Sequence, residues 1–261
     1  MKGVSIITCT MRDHLMNEVF DNYQRQRWNG HMELIIVLNN DEMDIRKWKK
    51  KALQYQNVKV YQVPQSVTVG ECKNFAVDQA TYDVIAKLDD DDYYSPFFID
   101  SSMKVMKKTN AAIVGKKECF YYLEGSKELL STGSRKINQY VPHVADSSML
   151  IQKKVFKSVQ FPHLPNRSDT EFQKAALEAG FRIYAGDQYD YLIIRKANTS
   201  SHTWRIKDEE LRAMFKKVSY KGDVSAYVID PEKRIHQRMK EHKYRRIQEI
   251  KLRNRMKRKI V

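Results

Sequence analysis

The sequence predicts an α/β protein whose central sheet is mostly parallel and flanked by helices. Buried strand patterns at residues 4–8, 33–38, 58–63 and 83–88 alternate with helical patterns. Such alternation is typical of βαβ units with right-handed crossovers. The strands are rich in Val, Ile and Leu, as in parallel sheets, because helices cover both faces of those sheets. We therefore expect residues 1–95 to form a nucleotide-binding half.

The connecting helices of this half are predicted at residues 13–27, 45–55 and 68–80. Each fills the interval between two strands with a mixed apolar and polar pattern, which favours a helix packed on the sheet.

Beyond residue 96 the elements are shorter and their order is mixed. Ser168 and Glu171 have capping-box spacing and Gly180 follows, which predicts where one helix begins and ends. We expect one continuous sheet with extra antiparallel strands. The predicted helices span residues 97–108, 168–179 and 208–218, and the predicted strands span residues 111–115, 118–123, 128–132, 147–152, 182–185 and 189–195.

Four consecutive aspartates, residues 89–92, follow the fourth predicted strand directly. Carboxylates this close repel one another, and each raises the pKa of its neighbours. A divalent cation resolves the conflict, because Mg²⁺ and Mn²⁺ prefer oxygen ligands. Ligands of open α/β sheets also bind beyond the carboxyl ends of the strands. A solvated acidic turn before the helix near Pro96 explains the aspartates alone equally well.

Composition restricts the class of protein further. Cys9, Cys72 and Cys119 are odd in number and far apart, which favours reduced thiols in a cytoplasmic protein. We expect no signal peptide and no membrane span, because no suitable apolar run occurs. The net charge is +15, and residues 231–261 contribute +10 of it. The basic character therefore belongs mainly to this last segment, which is predicted to be a long helix.

The order of several motifs resembles the inverting family 2 glycosyltransferases of the GT-A fold. The segments that carry the resemblance are VSIITCT, VLNND, GECKNFAVDQA, LDDDDYYSP, SDTEF and a late histidine loop, within about residues 3–205. The resemblance implies a GT-A domain at residues 1–222, with an acceptor-binding half at residues 96–222. A basic helical extension follows at residues 223–261.

The resemblance assigns the acidic segment to Mn²⁺ or Mg²⁺ on a nucleotide-diphosphate sugar. Asp91 is then the metal ligand, Asp89 contacts the metal or the ribose, and His202 is a further metal ligand. Asp92 matches a supporting acidic position, and Asp90 lies in the same nucleotide-sugar-binding segment.

Other positions match the family's donor-binding elements. Thr8, Thr10 and Arg12 match the loop that lines the nucleotide, and Asp41 matches the acidic residue that holds the base. The set is completed by Gly70, Lys73 and Asn74, which match a Gly-x-x-x-Asn helix start. A lysine and backbone N–H groups at a helix start suit a diphosphate.

Asp169 matches the catalytic base near the acceptor. An inverting transfer requires one carboxylate to take the proton of the attacking hydroxyl. Glu171 is the second candidate for the base, although its spacing also suits a helix cap. Trp204 and Arg205, beside His202, are predicted to contact the sugar, the base or the phosphates.

The resemblance implies transfer of a sugar from a UDP- or dTDP-type donor to a saccharide or lipid-linked hydroxyl acceptor. Synthesis of a bacterial surface, envelope or spore-coat polysaccharide fits this chemistry. The basic segment 231–261 then has three interpretations: a solvated helix with one face packed on the core, a peripheral contact with an anionic membrane at its inner face, or a site for an anionic acceptor polymer or nucleic acid.

Two other classes of protein remain as alternatives. One is a GT-A-like nucleotidyltransferase, which a glycine-free loop at residues 9–13 disfavours. The other is a nucleotide-binding scaffold without activity. A nucleic-acid-binding protein is not expected, because its charge would lie in a groove with interleaved aromatic residues.

Overall fold

A computed structural model describes residues 3–164, 166–197 and 206–232. The chain divides into two compact units, residues 1–228 and residues 229–261, and only residues 229–232 of the second unit are described. The predicted boundary at residue 222 and most of the predicted basic helix at residues 231–261 therefore stay predictions. Within the described residues, no helix is long and apolar enough to span a bilayer.

The strands of the described residues are, in chain order, β1 (Gly3–Thr10), β2 (His31–Leu38), β3 (Val58–Gln62), β4 (Val84–Lys87), β5 (Tyr93–Tyr94), β6 (Ile113–Gly115), β7 (Phe120–Leu123), β8 (Glu128–Ser131), β9 (Gln139–Tyr140), β10 (Leu150–Gln152), β11 (Ile183–Ala185), β12 (Tyr191–Arg195) and β13 (Lys216–Val218). The α-helices are α1 (Met16–Gln24), α2 (Ile45–Ala52), α3 (Val69–Asp78), α4 (Phe98–Thr109), α5 (Ser168–Glu178), α6 (Asp208–Met214) and α7 (Val224–Tyr227). Short 3-10 helices span Asp13–Leu15, Asp146–Ser148 and Lys153–Lys157.

The described strands form two sheets rather than the single sheet that we expected. The larger has the order β3-β2-β1-β4-β10-β6-β11-β9, and its first four strands are parallel. The smaller has the order β13-β8-β7-β12-β5. Hydrophobic pattern alone does not tell which strands share hydrogen bonds, and β7 pairs with β12, some 70 residues away along the chain.

Side-chain alternation along the parallel strands builds a core on each face of the larger sheet. Ile6 joins a cluster with Phe20 of α1, Trp48 of α2 and other side chains of α4. The next residue, Ile7, joins the opposite cluster, which includes α3 and α5. Both faces are thus covered, which accounts for the continuous apolar runs in the sequence.

The directions of the strands determine which residues meet at one edge of the larger sheet. The strands β1, β2 and β4 are parallel, so all three end at one edge. Because β10 is antiparallel to both β4 and β6, β6 also ends there, while β10 begins there. This edge, which we call the carboxyl edge, therefore collects residues that are distant in sequence.

One predicted helix is too long. Residues 208–218 were predicted as a helix, but α6 ends at Met214 and residues 216–218 form β13. Lys216–Val218 pairs antiparallel with Leu129–Ser131 of β8. Pairing with the sheet thus overrides the weak helical pattern of this segment.

Candidate active site

The loops at the carboxyl edge are tied to one another by backbone and side-chain hydrogen bonds. The Thr8 hydroxyl donates to the Leu88 carbonyl over 2.9 Å, which joins the ends of β1 and β4. The Asn39 N–H donates to the Thr10 carbonyl over 2.8 Å, which joins the ends of β1 and β2. These bonds fix the loops that carry the predicted nucleotide-binding residues.

Asp90 is the buried anchor of the acidic segment. It accepts hydrogen bonds from the Thr10 hydroxyl and from the guanidinium of Arg12, which also bonds Asp91 over 2.8 Å. Burial raises the pKa of Asp90, although Arg12 beside it acts in the opposite direction. Thr10, Arg12 and Asp90 thus form one polar unit at the end of β1.

Asp92 points away from the carboxyl edge into the protein. Its carboxylate accepts from the Tyr191 hydroxyl over 2.8 Å and from the Ile194 N–H over 3.2 Å, both on β12. Burial, followed by the charges of Asp91 and Asp89, raises the pKa of Asp92 well above its usual range. Asp92 therefore links the acidic segment to the smaller sheet.

Asp89 and Asp91 are the members of the segment that face solvent. Their side chains are 40% and 16% exposed. Lys87 Nζ lies 2.7 Å from Asp89 Oδ1. Carboxylate oxygens that reach solvent at the end of a strand are suitable ligands for a hard divalent cation. Within the described ranges no group of three His, Cys, Asp or Glu side chains comes together as a metal site, and His202 lies outside those ranges.

A second ionic cluster surrounds Asp169 at the start of α5. Lys73 Nζ lies 2.5 Å from Asp169 Oδ2 and 3.1 Å from the Ser168 hydroxyl. Lys87 Nζ lies 3.8 Å from Asp169 Oδ1. Burial alone would raise the pKa of Asp169, but Lys87 and Lys73 lower it, so the group is a carboxylate at neutral pH. Asp169 Oδ1 is buried and accepts no hydrogen bond from the described residues.

Lys87 connects the two ionic clusters. It is a buried lysine at the end of β4. Burial by itself would lower the pKa of Lys87, but the carboxylates of Asp169, Asp89 and Asp146 raise it. The predicted metal segment and the predicted base therefore share one buried ammonium group.

Asp146 is a functional candidate that sequence reasoning missed. It lies just before β10, and the amide of Gln173, one turn after Asp169 on α5, donates to it over 2.9 Å. Burial and the charge of Asp169 raise the pKa of Asp146 to about 7, although Lys87 and Lys73 act in the opposite direction. The sequence signal was an acid before a buried strand, but only the direction of β10 places this acid at the carboxyl edge.

Gly70 and Asn74 contact a neighbouring backbone segment of the protein. The Asn74 side chain donates to the Phe161 carbonyl over 2.8 Å and accepts from the Phe161 N–H over 3.0 Å. A Cβ on Gly70 would lie 2.0 Å from the Pro162 carbonyl oxygen. These two residues hold α3 against residues 161–162 and so place Lys73 beside Asp169. Their predicted contact with a donor stays a prediction.

We expect Gly70→Ala to lower the free energy of unfolding by about 1–3 kcal/mol, since a methyl group there forces backbone to move. Urea unfolding would measure the loss. Gly125→Ala is the matched control, because its Cβ would meet Ala197 Cβ at an ordinary 3.5 Å. Equal stability of the two variants would contradict this view of Gly70.

The remaining predicted residues lie in different places. Asp41 is exposed after β2 and accepts from the Gln65 N–H over 3.2 Å. Glu171 is in the first turn of α5, but the predicted capping box is wrong. Arg167 is the N-cap, with φ 60, and no side chain caps the helix. The capping box forms instead between Thr68 and Glu71 at α3. Trp204 and Arg205 lie outside the described residues.

Comparison with known proteins decides the family. The model of "Glycosyl transferase family 2" matches residues 5–159, more than half of the chain. The chain belongs to glycosyl transferase family 2. The matched range of the family contains Lys73, Lys87, the four aspartates and Asp146, and it ends before Asp169. The match confirms the predicted family.

Solved structures agree with a GT-A fold. Residues 1–349 of TarS from S. aureus superpose with a TM-score of 0.61 at 18% identity, over 74% of this chain and 60% of that one. The complex of that protein with UDP-GlcNAc gives a TM-score of 0.58 at 18% identity, over 77% and 61%. Its complex with UDP gives 0.57 at 17% identity, over 75% and 61%. This family 2 chain thus spans about 60% of the length of these proteins. No curated protein sequence matches it.

Proposed function

We propose that this protein is a cation-dependent inverting glycosyltransferase. It would transfer a sugar from a nucleotide-diphosphate donor to a hydroxyl acceptor, with Asp169 as the base. The observation that carries the proposal is the environment of Asp169, a largely buried carboxylate beside two lysines. One of its oxygens accepts no hydrogen bond from the described residues.

The residues around Asp169 suit proton transfer in an inverting reaction. The acceptor oxygen forms its bond to the anomeric carbon as the bond from that carbon to the diphosphate breaks. Asp169 Oδ1 takes the hydroxyl proton late in this step, when the attacking oxygen has become acidic. A base whose pKa is lowered by Lys87 and Lys73 is therefore sufficient.

Asp89 and Asp91 would hold the cation, Mn²⁺ or Mg²⁺. Their partly exposed carboxylates at the carboxyl edge are the chemical type of ligand that fits it. When bound, such a cation neutralises charge on the leaving diphosphate. Arg12 pairs with Asp91 and Asp90, so its positive charge compensates the segment before the donor arrives.

Structures of TarS with UDP-GlcNAc and with UDP support a nucleotide-sugar donor, with UDP as the first nucleotide to test. The proposal also includes a saccharide or lipid-linked acceptor and a role in surface polysaccharide synthesis. It further includes a cytoplasmic location and a peripheral membrane contact through residues 231–261. Cys9, Cys72 and Cys119 are free thiols in the structure.

We expect UDP, GDP or dTDP to raise the melting temperature by about 5–10 °C at 100-fold excess over Kd, and only with Mn²⁺ or Mg²⁺. Asp91→Ala should abolish the cation-dependent part, because one ligand is lost. Thermal unfolding with and without the cation measures this. Asp78→Ala, at the exposed end of α3, is the control and should keep the full shift. A shift that survives in Asp91→Ala would refute the metal assignment.

A further inference from the structure

A group of basic side chains lies beside the proposed acceptor side of the site. It comprises Lys117, Lys136 and His143, and we call it the basic cluster. Lys117 follows β6 and so lies at the carboxyl edge. The strand β6 is two strands from β4 in the sheet order, which is a separation of about 10 Å. The basic cluster is thus displaced from Asp89 and Asp91 along the edge.

Hydrogen bonds join the basic cluster to the segment that carries Asp146. The Ala145 N–H donates to the Lys116 carbonyl over 2.6 Å, and the Lys116 N–H donates to the Ser148 hydroxyl over 2.8 Å. Asp146 is in turn held by Gln173 of α5, the helix that begins with the proposed base. The basic cluster and Asp169 therefore flank the same segment, residues 143–148.

The positive charge of the basic cluster is not compensated within the described part of the chain. Lys117 Nζ contacts His143 Nε2, and no Asp or Glu of that part pairs with Lys117 or Lys136. Burial and the charge of Lys136 lower the pKa of Lys117. Burial and the two lysines likewise lower the pKa of His143. Like charges held together in this way are stabilised when an anion binds between them.

The acidic residue that follows Lys117 in the sequence makes other contacts. Glu118 is buried, and its carboxylate accepts from the hydroxyls of Ser131 and Ser134 and from the N–H groups of Gly133 and Arg135. These four bonds hold the loop before β9 in place, including Arg135 in the left-handed region at φ 53. Glu118 thus fixes the backbone next to Lys136.

We propose that the basic cluster binds a phosphate group of the acceptor, which makes the acceptor a phosphorylated molecule. This inference rests on the proposed function, because only a glycosyltransferase has the donor and the acceptor that it names. Ammonium groups bind phosphate oxygens as point charges. Two lysines, with a histidine that gains a proton when the anion binds, match the two charges of a phosphate better than the single charge of a carboxylate. The cluster lies apart from the cation site, so the donor diphosphate and this phosphate occupy different places.

The test uses the full chain and the ring signals of His143 in NMR spectra. Inorganic phosphate and glycerol 3-phosphate are titrated at constant ionic strength, and His143→Gln assigns the signals. We expect both probes to shift the His143 signals saturably and to raise the pKa of its ring. The Lys117→Ala/Lys136→Ala double variant should bind both probes at least tenfold more weakly. Lys107→Ala, an exposed lysine of α4, should bind as the unchanged protein does.

Three results of this titration would overturn the proposal. The signals of His143 stay fixed, or the double variant and Lys107→Ala respond alike, or glucuronate shifts the signals as strongly as phosphate does. UDP binding with Mn²⁺, measured by calorimetry, separates this test from the proposed function. Its Kd should stay within about twofold in the double variant, because the lysines bind the acceptor. Competition between UDP and phosphate for His143 would assign the cluster to the donor and also refute the proposal.

Discussion

Asp169→Asn should lower the rate of sugar transfer about 10³-fold, the effect of losing a general base. Asparagine keeps the size of the side chain and can still accept from Lys73, but it takes no proton. The donor contacts proposed here lie on β1, β4 and their loops, so the Kd for UDP with Mn²⁺ should change little. Transfer to a purified acceptor and calorimetry with UDP measure the two quantities separately.

Stability has to be measured beside the rate, because Asp169 is also the partner of two buried lysines. Removing one partner of a buried ion pair costs about 3–5 kcal/mol in general. The assay therefore belongs well below the melting temperature of the variant. Ser168→Ala is the matched control, since it removes the other acceptor of Lys73, 3.1 Å away, and leaves the carboxylate. If Asp169→Asn retained as much transfer as Ser168→Ala, Asp169 would not be the base.

The first half of the fold could be predicted from the sequence because the apolar residues of each strand or helix there follow a single pattern. The strands β1, β2 and β4 are buried on both faces and appear as continuous apolar runs. Their parallel order then places their carboxyl ends at one edge, which put the acidic segment next to the loop of Thr10 and Arg12. This part of the site depends only on local pattern and on the rules of parallel sheets.

The rest of the site depends on pairings that the sequence does not encode locally. The sequence places Asp90 in the nucleotide-sugar-binding segment, but it does not reveal the hydrogen bond to Asp90 from Arg12, 78 residues away. The sequence does not single out Asp146, because it does not reveal the antiparallel direction of β10. In both cases the decisive fact is which side chains meet across the sheet.

Asp146→Asn should reduce the loss of folding stability that occurs as the pH rises. The pKa of Asp146 is raised to about 7, and its unfolded value is close to 4. Between about pH 4 and pH 7 the folded protein thus holds a proton that the unfolded chain has released. Stability therefore falls as pH rises through this window, by the linkage between proton binding and folding. Asparagine carries no charge at any pH and removes this loss.

The size of the effect follows from the shift in the pKa of Asp146, reduced to allow for the partial exposure of its side chain. From pH 5 to pH 8 the stability of Asp146→Asn relative to the unchanged protein should rise by about 2 kcal/mol. Urea unfolding at the two pH values measures it, with Asp78→Asn as an exposed control that should show no such change. A relative stability independent of pH would show that Asp146 is charged throughout. A carboxylate that costs stability at neutral pH beside the proposed base is the kind of group that active sites retain for function.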